Sequence, residues 1–156
     1  HARGQYNLGC MYDNGDGVTK DGKKAFEWYT KSAEQGFASG QYNLGLMYEN
    51  GDGVTKDYKK AFEWYTKAAE QGHARGQYNL GCMYDNGDGV TKDGKKAFEW
   101  YRKAAEQGHA RGQFNLGVMY RNGYGVTMDK AKAVEWYTKA AEQGYADATE
   151  ALEELS

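Results

Sequence analysis

The residues best suited to chemistry lie in the stretch Asp13-Asn14-Gly15-Asp16-Gly17-Val18-Thr19-Lys20-Asp21, whose carboxylates and glycines have the composition of an oxygen-rich cation loop. A calcium loop of the EF-hand type needs acidic or amide ligands at positions 1, 3 and 5, glycine at 6 and a bidentate glutamate at 12. Placing Gly17 at the glycine position puts Asn14 and Asp16 at 3 and 5, but Tyr12 at 1 and Lys23 at 12. A phenol and a cation in two principal ligand positions argue against metal, and no metal or other cofactor is expected. The same stretch serves as a corner: glycines for left-handed backbone, Val18 to tuck inward, and Asp21 to cap the helix that follows.

The other reactive residues, Cys10, Cys82, His1, His73 and His109, form no nucleophile–base pair, so no catalytic residues are assigned and no enzyme is expected. Their spacing is periodic. The segment 1–36 recurs at 73–108 with two exchanges, Arg102 and Ala104, and looser copies occupy 37–72 and 109–144. Four units of 36 residues and a remainder, "YADATEALEELS" at 145–156, make the chain a single repeat domain. His1, His73 and His109 share one unit position with Phe37, which marks a slot for a partly buried ring. Cys10 and Cys82 are separated by a whole unit, an expected distance of roughly 20 Å, far beyond disulfide reach. They are expected to remain thiols, which favours a reducing compartment.

Each unit contains two helical patterns. In the first, His1, Gln5, Leu8, Met11 and Tyr12 share one face, opposite Arg3, Tyr6, Cys10 and Asp13. In the second, Ala25, Trp28, Tyr29, Ser32 and Ala33 form the buried stripe, Phe26 widens it, and Glu27 precedes Lys31 by one turn as an exposed ion pair. The motif "NLGxMYxNGxGVTxD" followed by "KAxEWYxKxAEQG" resembles the Sel1-like repeats, relatives of the tetratricopeptide repeat, over the whole chain. That resemblance implies an all-α fold: an α-solenoid of antiparallel helix pairs in a right-handed superhelix, here with a C-terminal capping helix over 145–156. Thr19, Thr55, Thr91 and Thr127 stand where the family often has proline, and Gly4 and its equivalents where it often has alanine, so each is expected to weaken the fold slightly. Some relatives are cysteine-rich and bind or hydrolyse β-lactams; the cysteine pair within each repeat that they carry is missing here.

In stacked helix pairs the first helices line a concave surface. Its expected ladders are Arg3, Ser39, Arg75, Arg111; Tyr6, Tyr42, Tyr78, Phe114; Cys10, Leu46, Cys82, Val118; and Asp13, Glu49, Asp85, Arg121. An aromatic and aliphatic stripe edged by charge suits a protein or peptide. The expected partner-binding residues are Tyr6, Tyr42, Tyr78, Phe114, Leu46 and Val118 for apolar contact, with Arg75, Arg111, Glu49 and Asp85 for register and charge preference. The function expected is thus an interaction scaffold. The alternatives are a designed or consensus-type scaffold without a natural partner and a small-molecule-binding or hydrolytic relative.

A net charge of -2 gives no global attraction to nucleic acid, and no apolar run reaches membrane-spanning length. Tyr145, Ala148, Leu152 and Leu155 are expected to close the last repeat, with Asp147, Glu150, Glu153 and Glu154 outward. The N-terminal end shows no such cap, so a monomer capable of end-to-end stacking there, or cut from a longer array, is expected.

Overall fold

A computed structural model describes all 156 residues as helices and turns, without strands. The helices are α1 (Ala2–Asn14), α2 (Gly22–Glu34), α3 (Ala38–Asn50), α4 (Tyr58–Glu70), α5 (Ala74–Asn86), α6 (Gly94–Glu106), α7 (Ala110–Asn122), α8 (Lys130–Glu142) and α9 (Ala146–Leu155). Odd-numbered helices up to α7 open a repeat, the following even-numbered helices close it, and α9 is the first-helix pattern of the remainder.

The starts and stops follow local chemistry. Asp57 takes an extended backbone and accepts the Lys60 N–H at 3.1 Å through Oδ1, leaving fewer orphan donors at the start of α4. Gly51 ends α3 in left-handed conformation at φ 73°, and its N–H donates to Met47 O at 2.8 Å. The Asp57 N–H then donates to Tyr48 O at 2.8 Å, closing the corner. The corner has a second role. A methyl carbon at Gly53 would fall 2.2 Å from Gly22 O, so the loop of the second repeat rests directly on the start of α2.

The chain divides into two compact units, His1–Gly76 with Asp88–Val90, and Gln77–Gly87 with Thr91–Ser156. In the first, Ala25, Tyr29, Ala33, Leu44 and Met47 form a buried cluster, with Val54 packed against it. In the second, Ala105, Leu116, Tyr120, Ala133, Tyr137 and Ala140 are joined by Ala148 and Ala151 of α9, so the terminal helix closes that core as expected.

Small residues let the helices approach. Tyr65 of α4 is fully buried against Gly45 of α3, where a methyl carbon would meet its ring at 2.7 Å. On the other flank of α3, a methyl carbon at Gly40 would lie 2.5 Å from Ser32 Oγ of α2. At Gly40 glycine is set by packing, which corrects, for that position, the expectation that it merely weakens the helix; a methyl carbon would come no nearer than 3.1 Å at Gly76, 3.2 Å at Gly112 and 3.9 Å at Gly4. Glutamines tie neighbouring repeats within each unit. Gln71 Nε2 donates to Gln41 Oε1 at 2.7 Å and Gly36 O at 2.9 Å, and Gln143 repeats this on Gln113 Oε1 and Gly108 O, both at 2.8 Å.

Two further expectations are corrected. Trp28, Trp64, Trp100 and Trp136 are only half-buried, while the neighbouring Tyr29, Tyr65, Tyr101 and Tyr137 are buried. The Glu27–Lys31 ion pair is not formed. Lys31, Lys67, Lys103 and Lys139 instead place their amines 4.4–4.5 Å from the ring centroids of those tryptophans. An exposed ion pair gains little, whereas a half-buried indole offers a lysine both an apolar body and a negative face. Leu8 and Met11 are exposed, at 36% and 37%, although their equivalents Leu44 and Met47 are buried. The latter pack against Ala25, Tyr29 and Ala33 of α2.

Candidate partner-binding face

The first-helix residues named as candidates fall into two groups. The aromatic ladder sits half-buried, each ring against the second-helix tyrosine of its own repeat. Centroid distances are 5.9 Å for Tyr6–Tyr29, 5.8 Å for Tyr42–Tyr65, 5.7 Å for Tyr78–Tyr101 and 5.6 Å for Phe114–Tyr137. On its other side each ring meets the residue that opens the next repeat. Phe37 tilts on Tyr6 at 5.4 Å, His73 stacks on Tyr42 at 4.9 Å, His109 stacks on Tyr78 at 4.7 Å and Tyr145 tilts on Phe114 at 5.2 Å. The histidine position is thus an aromatic slot. Its Nδ1 has a second task, accepting the Gly76 N–H in His73 and the Gly112 N–H in His109, each at 3.1 Å. Burial, with Arg75 adding to it, lowers the His73 pKa and keeps that acceptor available.

The charged candidates divide. Arg75 and Arg111 are exposed. Glu49 and Asp85 are held by their own repeats: the Tyr65 hydroxyl donates to Glu49 Oε2 at 2.9 Å and that of Tyr101 to Asp85 Oδ2 at 3.2 Å. Tyr29 makes the same contact with Asp13 Oδ2 at 3.3 Å and reaches Cys10 Sγ at 3.5 Å. Burial raises the pKa values of Tyr29 and Tyr101, and the adjacent cysteine thiols act in the same direction. These phenols therefore stay protonated as donors at neutral pH. Both cysteines are half-buried thiols. Leu46 and Val118 are half-buried.

Within the first unit, Tyr6, Tyr42 and Arg75 line an open depression of about 250 Å³ together with Ser39, Asn43 and His73. In the second, Asp85 and Val118 border one of about 220 Å³ with Tyr101 and Asn115. Phe114 and Val118 border another of about 300 Å³ beside α9. Asn43 and Asn115 were not among the candidates, yet Asn43 faces the hydroxyls of Tyr6 and Tyr29, and Asn115 those of Tyr78 and Tyr101. The recurrence of asparagine at Asn7, Asn43, Asn79 and Asn115, directly after the ladder aromatic, was the available signal. No group of three or more His, Cys, Asp or Glu side chains is gathered to hold a metal ion, and no helix is long and apolar enough to cross a membrane.

The family model described as "Sel1 repeat" matches residues 2–37, 38–73, 74–109 and 110–145. The chain is similar to the solved structure of c5321, a protective antigen of uropathogenic Escherichia coli displaying an SLR fold. The identity is 47% and the TM-score 0.92, over 95% of this chain and 32% of that one. A Sel1 repeat protein from Oxalobacter formigenes is 43% identical with a TM-score of 0.93, over 97% of this chain and 61% of that one. Cysteine rich protein B of Helicobacter pylori is 32% identical with a TM-score of 0.67, over 85% of this chain and 96% of that one. The chain spans about a third of the first of these proteins and about three-fifths of the second. No curated protein sequence matches it significantly. Sel1 repeat proteins generally act as protein-interaction scaffolds and are typically non-catalytic. Helix pairs packed in sequence order, four matched repeats and these solved neighbours agree: the chain belongs to the Sel1 repeat family.

Proposed function

We propose that this chain is a protein-binding module whose first-helix residues, unit by unit, take a peptide or an exposed segment of a protein partner. The observation that carries the reading is the depression formed by Tyr6, Ser39, Tyr42, Asn43, His73 and Arg75. It joins two half-buried phenol rings, a side-chain amide and an exposed guanidinium. Aromatic anchors next to convergent polar groups are the composition of an interaction hot spot. Arg75 and Arg111 set the charge preference, being exposed, while Glu49 and Asp85 contribute through the tyrosine hydroxyls they already bind. Tyr78, Phe114, Leu46 and Val118 supply apolar area.

The test is selection of binding peptides from a random phage-displayed library, followed by affinity measurement on wild type, Tyr42→Ala and Tyr78→Ala. The reading expects each replacement to weaken its peptides by about tenfold or more while the chain stays folded. Unchanged affinity together with a collapsed melting temperature would show that the ladder only holds the repeats together, and the reading fails.

A further inference from the structure

The terminal helix α9 carries the first-helix register forward but changes its chemistry. Positions that hold Arg111, Phe114 and Val118 in α7 hold Asp147, Glu150 and Glu154 in α9. Those acids were expected to point outward as a polar cap. They are exposed as expected, and Asp147, Glu150 and Glu154 also line, with Phe114, Val118 and Ala151, an open notch of about 300 Å³. Arg121 also reaches it, but its Nη1 is committed to Glu154 Oε2 at 3.0 Å and its guanidinium lies beside Tyr137. The ion pairs of the chain are Arg102–Glu106 and Arg121–Glu154, so Asp147 and Glu150 enter none. Three carboxylates against one guanidinium leave the rim at a net -2.

We propose that this notch, floored by Phe114, Val118 and Ala151 and rimmed by Asp147, Glu150 and Glu154, receives a lysine or arginine side chain of a peptide partner. The proposal rests on the reading of the first-helix residues as the partner-binding face. The argument for the occupant is complementarity. A lysine or arginine has an apolar stem ending in a cation, which matches an aromatic and aliphatic floor with two uncompensated carboxylates at its edge. An acidic or phosphorylated segment would meet like charge there. A bare divalent ion needs several oxygens converging at short range, and these carboxylates are not gathered in that way. Capping alone requires a polar end to the array, not carboxylates gathered at the edge of a notch floored by Phe114 and Val118 of α7.

The experiment uses peptides selected from the random phage library on the intact chain. Their affinities are measured by fluorescence anisotropy for wild type, Tyr78→Ala, Phe114→Ala and the double variant Asp147→Asn, Glu150→Gln. The selected peptides are expected to share a lysine or arginine whose replacement by norleucine weakens binding about tenfold, with the difference lost in the double variant. Because norleucine changes the peptide and not the protein, this arm does not depend on how the variant folds. Peptides that lose affinity with Tyr78→Ala but carry no basic residue and ignore the double variant would overturn this proposal and leave the face reading standing. Peptides indifferent to all four changes, or no selected peptide, would overturn both.

Discussion

The aromatic ring of Tyr65 lies against the backbone of Gly45, so closely that a methyl carbon on that glycine would come within 2.7 Å of ring carbons Cδ1 and Cε1. Tyr65 is completely buried and its hydroxyl is tied to Glu49 at 2.9 Å, so the ring has little room to yield. Gly45→Ala is therefore expected to destabilise the chain by about 1–3 kcal/mol, more than the gain in helix propensity of up to about 1 kcal/mol. Gly4→Ala, where nothing lies nearer than 3.9 Å, is expected to stabilise by about 0.5–1 kcal/mol. Urea titrations of the two variants, read by helical circular dichroism, check the opposite signs.

Replacing the buried tyrosine should cost more than replacing the larger tryptophan next to it. Tyr65→Ala removes a fully buried ring and strands the Glu49 carboxylate, an expected loss of about 3–5 kcal/mol. Trp64→Ala removes a half-buried ring and its contact with Lys67, an expected loss of about 1–3 kcal/mol. Melting temperatures in the same buffer decide the order.

Acidification should act through His73. Its folded-state pKa lies below the ordinary 6.5, chiefly because the ring is buried and secondarily because of Arg75. The unfolded chain therefore takes up a proton at a higher pH than the folded chain. The stabilising contribution is fully present above pH 6.5 and falls as the pH drops through 6.5 toward the lowered folded value. Protonation of Nδ1 would also end its acceptance of the Gly76 N–H. His73→Phe, which imports the residue found at Phe37, is expected to reduce the loss of melting temperature between neutral pH and about pH 5.5, although it forfeits the cap.

Two loop glycines with matching backbone separate conformational strain from contact. Gly17 and Gly53 have φ of 73° and 69°. A methyl carbon at Gly17 would meet only Met11 Cε, at 3.7 Å, but at Gly53 it would fall 2.2 Å from Gly22 O. Both alanine variants should lose about 1 kcal/mol to the left-handed backbone, and Gly53→Ala should lose at least a further 1–3 kcal/mol. Equal losses in denaturant titrations would show that the loop does not rest on α2.

Much of the fold was legible in the chain because the unit repeats. Four copies of one pattern expose the helix faces, the corner glycines and the capping aspartates, each of which depends on neighbours a few residues away. The candidate ladder was legible for the same reason: Tyr6, Tyr42, Tyr78 and Phe114 recur at one register of the first helix. Periodicity cannot rank neighbours on a wide stripe, however. It placed Trp64 with Tyr65, and only the approach of α3 through Gly45 shows that the tyrosine is enclosed and the tryptophan is left to Lys67.

The amino-acid sequence by itself determined where the helices begin and end and which residues recur on the first-helix side, because propensity, capping and spacing act within one repeat. Tertiary structure decided what depends on distances between helices. Glu49 and Asp85 are held by buried tyrosine hydroxyls, Gly40 is a contact rather than a weakness, and the acids of α9 border the notch beside Phe114. None of these follows from spacing along one helix, since each requires a partner atom contributed by another helix within a few ångströms.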